Sequence, residues 1–206
     1  MKEPITPIKS KQSRSEWEKA YTKQGQSHKN KYPSSEVISF IMSNFSNTID
    51  KSHIKILDVG CGWGNNLKFL NEQGFETHGV DFSMTAVTHC QKYHKNIIHG
   101  NLTKLPYKND TFDSIIDRMS IQHNTKERIN IIINEMHRIL KPGGKFFSII
   151  LSDKFINYLG FTVSHFSDQE IINLLKKFSK YTLDYQEISL QNQKLILRSH
   201  IIVAQK

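Results

Sequence analysis

Cysteine is almost absent from this 206-residue chain, which contains only Cys61 and Cys90. Two cysteines exclude the disulfide framework of small secreted proteins and a four-cysteine zinc site. No apolar run approaches the ~20 residues that span a bilayer, and the first residues are polar rather than an apolar export signal. We therefore expect a cytoplasmic protein without membrane segments.

Acidic residues are also scarce, since 19 Asp and Glu stand against 28 Lys and Arg and leave a net charge of +9. Residues 1–31 carry more than half of this excess, with eight basic and three acidic side chains. Such a segment is usually a solvated arm, but it also attracts anionic partners such as RNA. We expect residues 1–12 to be a flexible basic leader.

The remaining chain is long enough for one domain with a hydrophobic core, which we place at 13–206. Helical spacing of apolar residues predicts an N-terminal helical lid over 13–50. From residue 54 to the C-terminus, short apolar runs alternate with helical patterns and predict a single α/β core. In such a parallel sheet, ligands bind at the carboxyl ends of the strands.

The predicted core has five strands, followed by a helix that begins with a capping box formed by Ser167 and Glu170. Two β-rich stretches without a helix between them close the chain, so they pair as an antiparallel hairpin. The longest helix is predicted over 127–140, where Pro142-Gly143-Gly144 stops it. The predicted strands are 54–59, 76–80, 97–99, 112–116 and 145–151, and the hairpin strands are 181–190 and 194–203.

The first predicted strand runs into the sequence Asp58-Val59-Gly60-Cys61-Gly62-Trp63-Gly64. Glycines at this point allow a tight turn and a close approach of the backbone to a ligand. A dinucleotide-binding loop would have a third glycine where Asn65 stands, and a phosphate loop would end in Gly-Lys-Ser/Thr. Asp81 stands 21 residues after Gly60, a spacing at which a carboxylate reaches ribose hydroxyls.

The segment Ile56-Leu57-Asp58-Val59-Gly60-Cys61-Gly62-Trp63-Gly64 resembles motif I of the class I S-adenosylmethionine-dependent methyltransferases. The similarity extends from about residue 54 to the C-terminus and includes the turn Leu140-Lys141-Pro142-Gly143-Gly144. It implies a Rossmann-like, seven-stranded, mostly parallel sheet with helices on both faces and a C-terminal antiparallel hairpin. It also implies S-adenosyl-L-methionine as methyl donor and S-adenosyl-L-homocysteine as product.

The same resemblance implies roles for individual residues. Asp81 would bind both ribose hydroxyls, and Phe82 would pack on the adenine. Asn101 stands where the family usually has an acid that accepts a hydrogen bond from the adenine amino group. Trp17 and Tyr21 would fold over the cofactor as a lid, together with Tyr32, or simply pack on the sheet. The expected cofactor-binding residues are Trp17, Tyr21, Asp58, Gly60, Cys61, Gly62, Asn65, Asn66, Asp81, Phe82, Ser83, Asn101, Leu102, Asp117 and Arg118.

Candidate catalytic residues follow the fourth predicted strand, where the resemblance places the methyl group. His123 or Asp117 would act as the base that removes a proton from the acceptor. Alternatively, Asp117 binds the amino group of the cofactor, Arg118 pairs with Asp117 or with an acceptor carboxylate or phosphate, and His123 caps the next helix. His165 is a weaker candidate for the acceptor site. His89 and Cys90 are adjacent and project in different directions on a helix, so we expect no metal.

The leading hypothesis is methyl transfer to an oxygen or nitrogen of a small-molecule acceptor, possibly a sugar or related metabolite. The chain shows no appended RNA-binding module. Two alternatives remain: an RNA methyltransferase that uses the basic N-terminal arm, and an S-adenosylmethionine-binding protein without catalytic activity. No motif identifies the acceptor.

Overall fold

The computed structural model describes residues 10–24, 32–153, 163–190 and 195–206. Most of the expected leader, residues 1–9, lies outside the described residues. The helices are α1 (Ser10–Gln24), α2 (Ser35–Phe45), α3 (Asn65–Glu72), α4 (Met84–Cys90), α5 (Lys126–Ile139) and α6 (Asp168–Leu174). The strands are β1 (Lys55–Val59), β2 (Glu76–Asp81), β3 (Asn96–His99), β4 (Phe112–Arg118), β5 (Leu140–Leu151), β6 (Lys180–Leu190) and β7 (Leu195–Gln205).

The seven strands form one sheet in the order β3-β2-β1-β4-β5-β7-β6. The pairs from β3 to β5 are parallel, whereas β7 runs antiparallel to both β5 and β6. This confirms the predicted seven-stranded, mostly parallel sheet with a C-terminal hairpin. Successive strands are added on one side of β1 up to β3 and on its other side from β4 onward, and such a switch point opens a crevice for ligands.

Helices cover both faces of the sheet, as predicted. On one face, α5 buries Ile129, Ile132, Ile133 and Met136, whose spacing places them on one side of the helix. On the other face, α2 packs Phe40 on Phe147 of β5, with ring centroids 4.8 Å apart. The sheet is thereby desolvated on both sides, which fixes its strands and the loops at their carboxyl ends.

Several element boundaries differ from the predicted ones by a few residues. Helix α1 begins at Ser10, three residues before the predicted start. Helix α4 ends at Cys90, where the backbone tightens into a turn in which Tyr93 N–H donates to the Cys90 carbonyl. Strand β5 begins at Leu140, which pairs with Phe112 before a bulge spans residues 141–144. The long helix still stops as expected, since α5 ends at Ile139.

A partly buried ion pair on α5, between Glu135 and Arg138, fixes the loop that follows β3. The carboxylate of Glu135 is 9% exposed as a residue and accepts a hydrogen bond from Leu105 N–H at 2.7 Å. It also binds the Arg138 guanidinium through Nε at 2.8 Å and Nη2 at 2.7 Å. Arg138 in turn donates to the Tyr107 carbonyl at 2.9 Å. Both members of the ion pair thus form hydrogen bonds with loop 100–111 and hold it against α5.

We predict that Glu135→Ala lowers the free energy of unfolding by about 2–4 kcal/mol, because it leaves Arg138 and the Leu105 amide without their partner. Urea unfolding followed by circular dichroism measures this. Glu72→Ala is the matched control, since Glu72 pairs with Lys68 only at the surface, at 3.8 Å, and should cost about 0.5 kcal/mol or less. Equal costs for the two variants would contradict the role given to Glu135.

Candidate active site

The glycine loop adopts a backbone that residues with side chains rarely adopt. Gly60, Gly62 and Gly64 have φ angles of +70°, +52° and +82°, in the left-handed region that favours glycine. A Cβ atom built on Gly60 would lie 1.9 Å from Ser120 Oγ, in the segment that follows β4. The glycine is therefore required for the close approach of two loops, and the site is formed where these loops meet.

Asp81 holds this loop in place from the end of β2. Its carboxylate accepts one hydrogen bond from Gly62 N–H at 2.9 Å and another from Ser83 N–H at 2.8 Å. Ser83 then caps α4 by accepting from Ala86 N–H. Burial raises the pKa of Asp81, and the backbone hydrogen bonds from Ser83 and Gly62 oppose that rise. Asp81 thus joins the glycine loop to the start of α4.

Three buried carboxylates meet at the switch point of the sheet: Asp58 on β1, Asp81 on β2 and Asp117 on β4. Burial, together with the charges of Asp117 and Asp81, raises the pKa of Asp58 to about 7, although a hydrogen bond with Asn66 opposes the rise. Asp58 Oδ2 has no hydrogen-bond partner among the described residues. A buried carboxylate oxygen without a donor is costly alone and fits a positively charged ligand group.

Asp117 uses both of its oxygens within the protein. Oδ1 accepts from Ser120 N–H at 2.9 Å and from Ile121 N–H at 3.1 Å, and Oδ2 accepts from Ser148 Oγ at 2.6 Å. Burial raises its pKa to about 6, although these hydrogen bonds favour the charged form. The carboxylate thereby stabilises the short 3₁₀ helix of residues Ile121–His123.

Helix α1 lies over the glycine loop and the segment after β4. The ring of Trp17 meets that of His123 edge to face at 4.9 Å, and Tyr21 meets Trp63 at 5.1 Å. Burial raises the pKa of Tyr21, as does the nearby charge of Asp81. The structure therefore brings both lid residues that the sequence indicated to the candidate site. Tyr32, the third lid candidate, is 76% exposed.

Contacts that no local pattern indicated hold α1 in place. Glu18 accepts hydrogen bonds from the backbone N–H of Thr85 at 3.3 Å and from the Thr85 hydroxyl, at the first turn of α4. The same carboxylate binds the Ser83 side chain, and these hydrogen bonds lower the pKa of Glu18 despite its burial. Because Glu18 and Thr85 lie 67 positions apart, sequence reasoning missed this anchor.

Asn101 and Leu102 follow β3, whose last residue, His99, pairs with Asp81 in the sheet. The Asn101 side chain accepts hydrogen bonds from Thr103 N–H at 3.2 Å and from Arg128 Nη2 at 3.0 Å. Arg128 is a second residue that the sequence did not indicate, because its partner lies 27 positions away.

The other expected site residues lie around these loops. Asn66 accepts from Ser34 N–H at 3.2 Å and hydrogen-bonds Asp58, so it connects α2 to β1. Cys61 and Cys90 are buried beneath the glycine loop, where the Cys90 thiol donates to the Gly62 carbonyl. The remaining members are Asn65 at the start of α3, Phe82, which is half-buried, and Arg118, whose side chain is exposed.

Contacts with the end of β5 and with residue 164 hold the loop that carries His123. Gln122 is buried, and its side-chain oxygen accepts a hydrogen bond from Leu151 N–H at 2.8 Å. Its backbone carbonyl accepts one from Ser164 N–H at 2.8 Å. Thr125, rather than His123, caps α5 through a hydrogen bond from Arg128 N–H. His165 stands next to Ser164 and thus near this loop, and burial lowers its pKa.

The described residues contain no group of three or more His, Cys, Asp or Glu side chains arranged to hold a metal ion. None of their helices combines the length and the apolar character needed to cross a bilayer.

Residues 56–144 match the model of a family described as a methyltransferase domain. This segment is thus a methyltransferase domain, similar to those of the class I S-adenosylmethionine-dependent methyltransferases. A demethylmenaquinone methyltransferase of Lysinibacillus sphaericus is 35% identical over 98 residues, which are 44% of this chain and 41% of that protein. An uncharacterised protein of Methanocaldococcus jannaschii is 28% identical over 170 residues, or 81% of this chain and 65% of that protein. The chain spans about half the length of the curated relatives it matches.

Solved structures share the fold at low sequence identity. The 1,6-didemethyltoxoflavin-N1-methyltransferase of Burkholderia thailandensis, with S-adenosylhomocysteine bound, aligns with a TM-score of 0.73 and 18% identity over 100% of this chain and 93% of that one. Phosphoethanolamine N-methyltransferase 2 of Haemonchus contortus aligns with a TM-score of 0.74 and 14% identity. This alignment covers 97% of this chain and 60% of that one. These likenesses support the methyltransferase fold of this chain.

The raised pKa of Asp58 should make the stability of the ligand-free protein depend on pH. Because its pKa rises from 3.8 to about 7 on folding, the stability that this group contributes at low pH is lost as pH rises from about 4 to about 7. We therefore expect the free energy of unfolding of Asp58→Asn, measured relative to that of the unmodified protein, to be about 2–4 kcal/mol higher at pH 8 than at pH 4. Urea unfolding at both pH values measures this.

Glu76→Gln is the control for this pH effect. The hydrogen bond with His78 lowers the pKa of Glu76, so this variant should instead lose relative stability as pH rises. If the difference between Asp58→Asn and the unmodified protein were the same at pH 4 and pH 8, Asp58 would ionise without cost and the prediction would fail.

Proposed function

We propose that this chain is a methyltransferase that binds S-adenosyl-L-methionine at the glycine loop and transfers its methyl group to an oxygen or nitrogen of a small molecule. The observation that carries the proposal is the junction of the glycine loop with the buried Asp81 carboxylate, within a matched methyltransferase domain. The acceptor class includes a sugar or related metabolite. S-adenosyl-L-homocysteine would be the product.

The residues present fit such a cofactor. Each Asp81 oxygen accepts one backbone N–H, and a carboxylate oxygen has a second lone pair for a ribose hydroxyl. The unpaired Asp58 Oδ2 would accept from an ammonium group, which supplies the donor and the positive charge that the site lacks. Phe82 and the loop at Asn101 and Leu102 would line the base, and Trp17 and Tyr21 would cover the bound molecule.

When bound, S-adenosylmethionine supplies a methyl group that its positively charged sulfur has already activated. The protein therefore contributes mainly alignment and the exclusion of water. His123 is the proposed base for a hydroxyl acceptor, since it lies in the segment after β4 and contacts Trp17 of the covering helix. Asp117 is the proposed positioning residue, because its carboxylate holds the 3₁₀ helix that carries His123.

A small acceptor is favoured over RNA because α1 covers the site. The described part of the basic N-terminal segment packs on the glycine loop and on α4 through Tyr21 and Glu18. The relatives and structural neighbours include a demethylmenaquinone methyltransferase and a didemethyltoxoflavin methyltransferase, which act on small molecules. RNA methylation and cofactor binding without catalysis remain the alternatives that the experiments below distinguish.

Asp81→Ala should reduce the affinity for S-adenosylhomocysteine by about 100-fold or more, because it removes a charge-assisted acceptor and loosens the glycine loop. Asp81→Asn keeps one oxygen acceptor and should lose less. Isothermal titration calorimetry measures both. Asp113→Asn is the control, since Asp113 binds Lys141 and Lys55 at the opposite, amino end of β4, and should bind normally. Unchanged affinity in Asp81→Ala would overturn the proposed cofactor site.

Methyl transfer itself is tested with labelled S-adenosylmethionine and two fractions of a cell extract, total RNA and low-molecular-weight metabolites. We expect label in the metabolite fraction, and its loss in a His123→Ala variant that still binds S-adenosylhomocysteine. Label in RNA would replace the small-molecule proposal with RNA methylation. Binding of the cofactor with label in neither fraction would favour the non-catalytic alternative.

A further inference from the structure

Arg128 connects the two halves of the candidate site. It lies in the first turns of α5, and its Nη2 donates to Asn101 Oδ1 at 3.0 Å in the loop after β3. Its Nε reaches Asn124 Oδ1 at 3.4 Å in the segment after β4. Neither the catalytic proposal nor the packing of the core uses this guanidinium, so its contacts point to a separate role at the cofactor pocket.

The contacts fix the orientation of the Asn101 amide. Thr103 N–H and the Arg128 guanidinium can only donate hydrogen bonds, and both approach the same atom of Asn101. That atom must therefore be the carbonyl oxygen, with the amino group on the opposite side. A carbonyl oxygen has two lone pairs, and these two donors occupy both.

Position 101 is where the family resemblance places an acceptor for the adenine amino group. In this chain the only acceptor atom of the Asn101 side chain already binds Thr103 N–H and Arg128 Nη2. The remaining Nδ2 amino group can only donate, and a donor turned to the adenine amino group would provide no hydrogen bond.

We propose that Arg128 sets the base selectivity of this pocket. Because it donates a hydrogen bond to the Asn101 oxygen, residue 101 makes no hydrogen bond to the 6-amino group of the cofactor. The inference rests on the proposed function, because it assumes that S-adenosylmethionine binds at the glycine loop. Its consequence is that purine cofactors changed at the 6-position bind nearly as well as the adenine compound.

The test compares S-adenosylhomocysteine with its 6-deamino analogue, in which purine replaces adenine. Isothermal titration calorimetry should give affinities within about threefold of each other for the unmodified protein, because no acceptor loses a partner. Asn101→Asp adds a second oxygen at the same position, and this oxygen can accept from the 6-amino group. In that variant the deamino analogue should bind about tenfold or more weakly than S-adenosylhomocysteine.

Arg128→Met removes the donor that occupies the Asn101 oxygen and should introduce the same discrimination against the deamino analogue. Lys126→Met is the matched control. Lys126 lies in the same turn of α5 and loses the same charge, but it pairs with Glu170 and should leave the ratio of the two affinities unchanged. Thermal unfolding checks that each variant is folded. If Arg128→Met does not fold, the isosteric Asn101→Asp variant alone tests the proposal.

The outcomes separate the two proposals. Discrimination of tenfold or more by the unmodified protein would overturn the inference while leaving the proposed cofactor site intact. Equal binding of both ligands by Asn101→Asp would also overturn it, because residue 101 would then not face the 6-position. Failure of the unmodified protein to bind either ligand would overturn the proposed function and the inference together.

Discussion

The buried carboxylate of Asp81 is the constraint on which the candidate site depends. A charge with 4% of its residue surface exposed is costly unless hydrogen bonds stabilise it. The two amides that provide this stabilisation belong to the glycine loop and to the start of α4, which are otherwise separate in the chain. One side chain therefore sets the position of both segments, and Glu18 of α1 then binds at the same turn of α4.

Helix α5 plays the corresponding role on the opposite face of the sheet. Its Glu135–Arg138 pair holds the loop after β3, and Arg128 connects that loop to the segment after β4. The loops of β1 and β2 are thus organised by Asp81, and those of β3 and β4 by α5. The three buried carboxylates at the switch point stand in a chain that is basic as a whole, and the unpaired Asp58 oxygen among them is suited to a cationic group.

Local sequence patterns predicted the parts of the structure that local chemistry determines. The glycine loop and the strand–helix alternation follow from short-range conformational rules, so an α/β core with a mostly parallel sheet could be predicted, and the family resemblance added its seven strands. The capping box of Ser167 and Glu170 is present for the same reason. Start and end points were less predictable, as at Ser10 and Leu140, because tertiary pairing extends an element beyond its local preference.

Side-chain partnerships across the fold could not be predicted. Asp117 has the residue type and position of a base, but its strand places it inward, where Ser148 and two backbone amides bind it. Glu18 and Arg128 lie on ordinary polar helix surfaces in the sequence, and only the folded chain brings them to Thr85 and Asn101. The roles of these residues depend on contacts between distant segments, which a single sequence does not encode as a pattern.

The position of α1 has a consequence for kinetics. For a molecule bound between the glycine loop and α1, the contacts of Trp17, Glu18 and Tyr21 with His123, Thr85 and Trp63 would form a cover on one side. Undocking of the helix would then be a step in the exchange of that molecule. A tight-fitting cover of this kind slows turnover, and it also keeps a reactive methyl donor away from water between one acceptor and the next.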